Sequence, residues 1–296
     1  MIGDFLHTTI AMMTPILWAA LGGLFTQLGG MLNIGLEGMM LVSAFSSLYT
    51  AANTGSLLLG ILVGISSSML LAAIMGYVSL NLKANVFVVG LATNLFASGI
   101  TVFLSSNLCG TKGTLYFQNA PELSEIKIPG IENIPILGDL LSGYDILDYL
   151  VFLAVIICFI IIFKTPYGFH LRSVGKNYRA SVSVGISVYK QRFGSFLISG
   201  FFAGIGGAAL SLPIKTFVGG MTNGRGWIAL VAVILGRGNP VGVLMASIIF
   251  GAASALSNLF QATTDISPKL LLTVPFLVTL AIMIFYSVKR KKVNAQ

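Results

Sequence analysis

Charge is missing from most of this chain. Residues 38–82 carry no charged side chain, nor do 84–111, 193–214, 238–264 or 270–288, and 5–36 hold only His7. Soluble domains carry about 25% charged residues to satisfy their surfaces, whereas this chain carries 9%. A bilayer is the solvent that remains. A helix crosses ~30 Å of hydrocarbon with about 20 apolar residues and pairs its backbone internally. Runs such as VFLAVIICFIIIF (151–163) exclude the alternating segments of a β-barrel. The expected fold is all-α: a polytopic helical membrane protein, one transmembrane domain over residues 1–296.

Spans are predicted near 10–29, 36–52, 57–80, 86–104, 146–163, 193–212, 241–260 and 270–288. The stretch 226–236, between Arg225 and Arg237, rises only about 16 Å as a helix and makes half a span. Counting it as a broken or re-entrant crossing gives about eight to nine spans, some half-length. Lys and Arg set sidedness. The loop 164–192 holds Lys164, Arg172, Lys176, Arg179, Lys190 and Arg192 with no acid, and the tail holds Lys289, Arg290, Lys291 and Lys292. Placing both in the cytoplasm puts the N-terminus outside and leaves only Lys112, Lys127, Lys215, Arg225 and Lys269 outside. The N-terminus has no positive n-region, so it does not read as a signal peptide.

The segment 105–148 is then the one long outer stretch. Its Glu122, Glu125, Glu132, Asp139, Asp145 and Asp148, with Pro121, Pro129 and Pro135, fit a lid, a docking surface or a solvated connector.

Two glycine-rich blocks stand at the edges of apolar runs. In LGGMLNIGLEGMML (28–41), Asn33 can cap a helix, and Glu37 is the one acid away from the outer side. Glu37 either favours a helix start through the dipole or lines a polar path. The second block, FVGGMTNGRGWIALVAVILGRGNP (217–240), repeats the wording Gly-Met-x-Asn, with Asn223 in the place of Asn33. Transporters are often built from related halves with broken helices at equivalent positions. Arg225 and Arg237 read as interfacial anchors. Asn94, Thr93, Ser98, Thr101, Asn258 and Gln261 place polar groups within spans, suited to helix contacts or to the path of an uncharged solute. There is no ladder of buried ionisable groups for ion-driven pumping.

The loop 165–192 is longer than topology requires. Pro166 and Gly168 are expected to end the preceding span, and Gly175 and Gly185 to punctuate the rest. Between Ala180 and Val188 the apolar residues alternate, which fits either a strand or a short helix stopping at Gly185. The chain holds no GxxxxGK[ST] phosphate loop and no HExxH. Cys109 and Cys158 give no metal spacing and no expected disulfide. No cofactor, catalytic residue or nucleic-acid partner is expected.

NIGLEGMML (33–41), LRSVGKNYRASVSVGISVYKQR (171–192), ISGFFAGIGGA (198–208) and GRGWIALVAVILGRGNPVGVLMASIIFG (224–251) resemble permease subunits of bacterial ABC importers. The family is the one serving branched-chain amino acids, ribose-type sugars and nucleosides, and the likeness is strongest to the simple-sugar and purine nucleoside branch. The resemblance implies a multi-pass protein of the bacterial inner membrane. It also implies a second, non-identical permease, cytoplasmic ATP-binding subunits and an outside solute-binding lipoprotein as partners. Importers of this type dock a short helix of pattern Glu-Ala-Ala-x-x-x-Gly on the ATPase. Here the matching stretch runs from Arg179 to Gly185: Ala180 and Gly185 match, while Arg179 and Ser181 depart. Arg172, Gly175, Asn177, Ala180 and Gly185 are thereby expected to couple to the ATPase, and Asn33, Glu37, Asn94 and Asn223 to wall the path. A sugar importer or a gradient-driven secondary transporter is the alternative.

Overall fold

The computed structural model describes residues 2–111, 113–126, 142–263, 273–281 and 284. Its helices are α1 (Ile2–Leu28), α2 (Leu36–Thr54), α3 (Leu57–Leu80), α4 (Val86–Cys109), α5 (Ile146–Lys164), α6 (Pro166–Lys176), α7 (Tyr178–Ser183), α8 (Val188–Ser211), α9 (Arg225–Leu235) and α10 (Pro240–Thr263). Side chains mark their starts. Ser56 accepts from the Leu59 N–H before α3, Asn85 from Phe87 before α4, and Ser187 from Lys190 before α8. Gly55 and Gly110 end α2 and α4 in the left-handed region, at φ +68° and +72°.

Among the described residues, six helices are long and apolar enough to cross a membrane: α1, α3, α4, α5, α8 and α10. α2 is more polar and α9 is half-length, as the position of 226–236 between two arginines predicts. Of the span expected at 270–288, only 273–281 and 284 are described, and 274–281 are helical. The outer residues 127–141, with Glu132, Asp139, Pro129 and Pro135, lie outside the described residues, as do Lys112, Lys269 and the basic tail.

α1 is the central element. Met13, Ile16, Leu17, Leu21, Leu24 and Phe25 are fully buried, and α1 packs on α8, α9 and α10. It starts at Ile2 rather than near residue 10, and within its first turns Thr8 and Thr9 return their hydroxyls to the carbonyls of Asp4 and Phe5. α8 fills the other side of the bundle against α2 and α3. Its glycines let backbones touch: a Cβ on Gly200 would lie 2.6 Å from the Ala72 Cβ, and one on Gly207 would strike the Met40 carbonyl. Ser68 Oγ donates to the Gly200 carbonyl at 2.7 Å, and Ser43 Oγ to that of Gly204 at 2.5 Å. The indole N–H of Trp18 donates to Leu147 at 3.1 Å and ties α5 to α1. The outward faces of α3, α4 and α5 carry exposed apolar side chains such as Leu70, Leu95 and Ile156, as lipid requires.

The fold is all-α as expected, with one short antiparallel ribbon among the described residues, β1 (Leu115–Tyr116) with β2 (Thr216–Phe217), Leu115 opposite Phe217. One expectation needs correction: 105–148 is not wholly an exposed stretch. α4 runs on to Cys109, and Leu115 and Ala120 are buried with Phe45, Leu48, Leu212 and Phe217 in a second small core. The acids and prolines of that segment mark it as polar and broken, and no local pattern shows which of its apolar residues turn inward. Lys215 Nζ lies 2.6 Å from Glu122 Oε1 beside the ribbon, and holds that carboxyl below its ordinary range.

Gly207→Leu should lower the unfolding midpoint in detergent sharply, by about 3 kcal/mol of stability, because a backbone carbonyl blocks the added side chain. Gly99→Ala is the control: nothing lies within 4 Å of the added methyl, and its midpoint should not fall.

Candidate translocation and coupling sites

α1 does not pass directly into α2. Gly30, at φ +79°, closes α1, and the Met31 N–H returns to the Thr26 carbonyl at 2.9 Å. The following chain stays non-helical until Leu36. Irregular backbone inside a bundle needs internal partners, and two asparagines supply them. Asn33, fully buried, accepts from the Gly35 N–H at 2.9 Å and donates to Ser199 Oγ at 2.8 Å. Asn94 donates to the Ile34 carbonyl at 2.9 Å and accepts from the Gly38 N–H at 2.8 Å. Asn94 sits about 12 Å along α4 from Val86, so this start lies well inside the bundle.

Glu37 occupies the first turn of α2 and reaches a second helix start. Its Oε1 accepts from the Gly224 N–H at 2.8 Å and its Oε2 from the Gly226 N–H at 2.7 Å. Both carboxylate oxygens therefore cap α9, and the charge meets the positive ends of two helix dipoles. The contact is close: a Cβ on Gly226 would lie 2.5 Å from the Glu37 Cα. Glu37 stands in the first turn of α2, where the dipole reading puts it, but the residue at the α2 N-cap is Gly35 rather than Asn33, and the helix that Glu37 caps is α9, whose Gly224 N–H is 187 residues away in sequence.

Arg225, expected at the edge of an apolar run, also makes contacts within the protein. It opens α9 half-buried inside the protein, where Nη1 donates to the Met221 carbonyl at 3.2 Å and Nη2 approaches Met12 Sδ at 3.6 Å. Asn223 is exposed, with φ +44°, and its N–H donates to the Gly220 carbonyl. The structure thus brings Asn33, Glu37 and Asn94 together around the start of α2 and leaves Asn223 apart, on the approach to α9. The two similar blocks share a left-handed glycine, Gly30 at +79° and Gly220 at +75°, and each leads into one of the two touching helix starts. Thr93 and Thr101 bond back within α4, to the carbonyls of Val89 and Ala97.

The basic loop forms two short helices. Thr165 caps α6, accepting from the Gly168 N–H, with Pro166 at its first position. Pro166 therefore begins a helix as well as ending α5. Gly168 and Gly175 lie within α6 rather than punctuating the loop, and serve close packing: a Cβ on Gly175 would strike the Leu28 carbonyl and lie 3.0 Å from the Gly30 N. Arg172 stacks on Phe163 and Phe169, 4.8 Å from each ring. Asn177 is the joint: its N–H ends α6 on Ser173, and its side chain caps α7 at Ala180. α7 is helical, not a strand, and Gly185 at φ +81° terminates it as the Ile186 N–H returns to Ser181. Ala180 and Gly185 are exposed, while Ser181 is buried and shares a 2.9 Å hydrogen bond with Ser173. Tyr178 lies between Arg179 and Arg192, each 5.9 Å from its ring. Arg179 donates to the Tyr178 hydroxyl, which lowers that group's pKa. Arg192 Nε donates to the Gly29 carbonyl at 3.0 Å, so α8 too grips the end of α1.

Glu37→Gln should destabilise by about 2 kcal/mol, because its amide turns a donor toward a backbone N–H that needs an acceptor. The unfolding midpoint in detergent checks the cost. Limited proteolysis should show faster cleavage between 217 and 226, where α9 has lost its cap.

Comparison with known proteins follows the same outline. A family described as the permease component of the branched-chain amino acid transport system matches residues 5–285. The chain is 34% identical to the guanosine ABC transporter permease protein NupQ of Bacillus subtilis (strain 168), covering 92% of this chain and 88% of that one. It is 32% identical to the nucleoside ABC transporter permease protein NupC of Lactococcus lactis subsp. cremoris, covering 92% and 89%. A second guanosine permease of the same Bacillus, NupP, is 30% identical over 83% of this chain and 72% of its own length. A solved inward-facing structure from a metal-chelate type ABC transporter superposes with a TM-score of 0.50 at 14% identity, covering 97% of this chain and 85% of the other, a likeness of fold alone. With a match running through nearly the whole chain, this multi-pass membrane protein belongs to the permease-component family of the branched-chain amino acid transport system.

Proposed function

We propose that the protein is the transmembrane permease subunit of an ATP-binding-cassette importer that admits nucleosides. One observation carries the reading: an unbroken line of contacts from the exposed helix α7 to the broken helix starts. α7 joins α6 through the Ser173–Ser181 hydrogen bond. α6 lies against Leu28 and Gly30 through Gly175. The chain from Gly30 leads to Asn33, Asn94 and Glu37, and Glu37 holds α9. A displacement of α7 is therefore passed by direct contacts to the chain that leads into both helix starts. The likeness to NupQ and NupC supports the nucleoside substrate.

In this reading 164–192 and the C-terminus are cytoplasmic and the N-terminus is outside. The location is the bacterial inner membrane. Arg172, Gly175, Asn177, Ala180 and Gly185 shape the surface that meets a separate ATP-binding subunit. Closing of paired ATPase domains then biases the permease between two states. Asn33, Glu37 and Asn94 hold the form of the path wall, and Asn223 faces its space. A binding lipoprotein delivers solute at the end carrying β1 and β2. The likeness to two permeases of one bacterium, NupQ and NupP, supports a second, non-identical permease as partner.

Labelled guanosine uptake should vanish when the gene is deleted and return with the wild-type chain. A chain carrying Ala180→Trp and Gly185→Trp should insert normally and fail to restore uptake. Nothing packs within 4 Å of the Gly185 position, but its left-handed backbone costs another residue about 1–2 kcal/mol. Restored uptake by that double variant, or accumulation by the purified chain under an ion gradient alone, overturns the reading.

A further inference from the structure

A second polar site lies beside the helix starts. A cavity of about 330 Å³ opens between α1, the first turn of α5, the end of α8 and the chain entering α9. Met12, Pro15 and Leu210 give it apolar walls, while Arg225, Asp145 and Asp148 bring charge to it. Arg225 is under-used. A guanidinium has five N–H donors, and here one meets the Met221 carbonyl while another meets only a thioether sulfur at 3.6 Å. No carboxylate lies within ion-pair distance of it among the described residues. An arginine within a bundle that lacks a direct counter-ion is costly and marks a place where a ligand completes the bonding. Asp145 and Asp148 give the same cavity carboxylate acceptors, and Ala11 and Pro15 line it from α1, where Pro15 has no N–H to offer the Ala11 carbonyl.

We propose that this cavity is a nucleoside subsite, in which Arg225 donates to the acceptor edge of a 6-oxopurine base and Asp145 and Asp148 accept from the ribose hydroxyls. The proposal rests on the nucleoside reading above and names the substrate class. A 6-oxopurine presents O6 and N7 side by side, two acceptors matched to a guanidinium fork, whereas adenine replaces O6 with an amino donor. Carboxylates are established partners of ribose hydroxyls in nucleotide sites. The apolar walls suit the flat base, and a guanidinium, which cannot accept, disfavours the 6-amino group.

The test is equilibrium binding of labelled guanosine to the purified permease assembly in lipid nanodiscs without a binding protein, with guanosine and adenosine as competitors. Guanosine should compete about tenfold better than adenosine. Arg225→Gln and Arg225→Lys should both remove that preference, the lysine by losing the fork while keeping the charge. A purely structural Arg225 would weaken both nucleosides by the same factor, and that result overturns the proposal, as does equal competition in the wild type. Leu210→Trp fills the cavity without touching Arg225. It should abolish binding, and wild-type binding by it sinks the subsite. Cellular uptake keeps the two readings apart: transport of both nucleosides with no binding in nanodiscs removes the subsite and leaves the transporter standing.

Discussion

A single carboxylate holds together the least regular part of this protein. α2 and α9 both begin inside the bundle, where unpaired N–H groups have no water to turn to. Glu37 answers this for α9 with both oxygens at 2.7–2.8 Å, and Asn94 answers it for α2 through Gly38. The arrangement works because Gly226 allows the two backbones to come together. A side chain there would push α9 off its cap. Half-length helices in a bilayer are tolerated only on such terms, so this polar knot is the condition for α9 to start where it does.

The same knot is fastened to the basic end. Gly175 has no room for a methyl against Leu28, and Arg192 bonds to Gly29. The end of α1 is thus clamped from α6 and from α8. Movement of the short helices must either carry the loop at 29–35 with it or break these contacts.

Much of this was legible in the amino-acid order. Helix positions follow from where charges stop, so Leu57–Leu80 matches its predicted span and Arg225–Leu235 its predicted half-span. Backbone punctuation was readable at Gly185, though alternation between Ala180 and Val188 left strand and helix open until the structure showed α7. What escaped were contacts between distant residues. Nothing local says that Glu37 caps a helix 187 residues on. The glycines flanking Arg225 were the one available signal, and they also fit a simple interfacial turn. The inward course of Arg225 and the pairing of Leu115 with Phe217 depend on tertiary packing, which pattern and composition do not encode.

The ribbon between 115–116 and 216–217 has a consequence for how the molecule hears its surroundings. It stitches the crossover after α4 to the strand of chain that runs down toward α9, and Lys215 doubles the stitch through Glu122. Anything that settles on that crown tugs the thread leading to the Glu37 latch. The ribbon at one end and the clamped end of α1 at the other thus both lead to the same short helix from opposite directions.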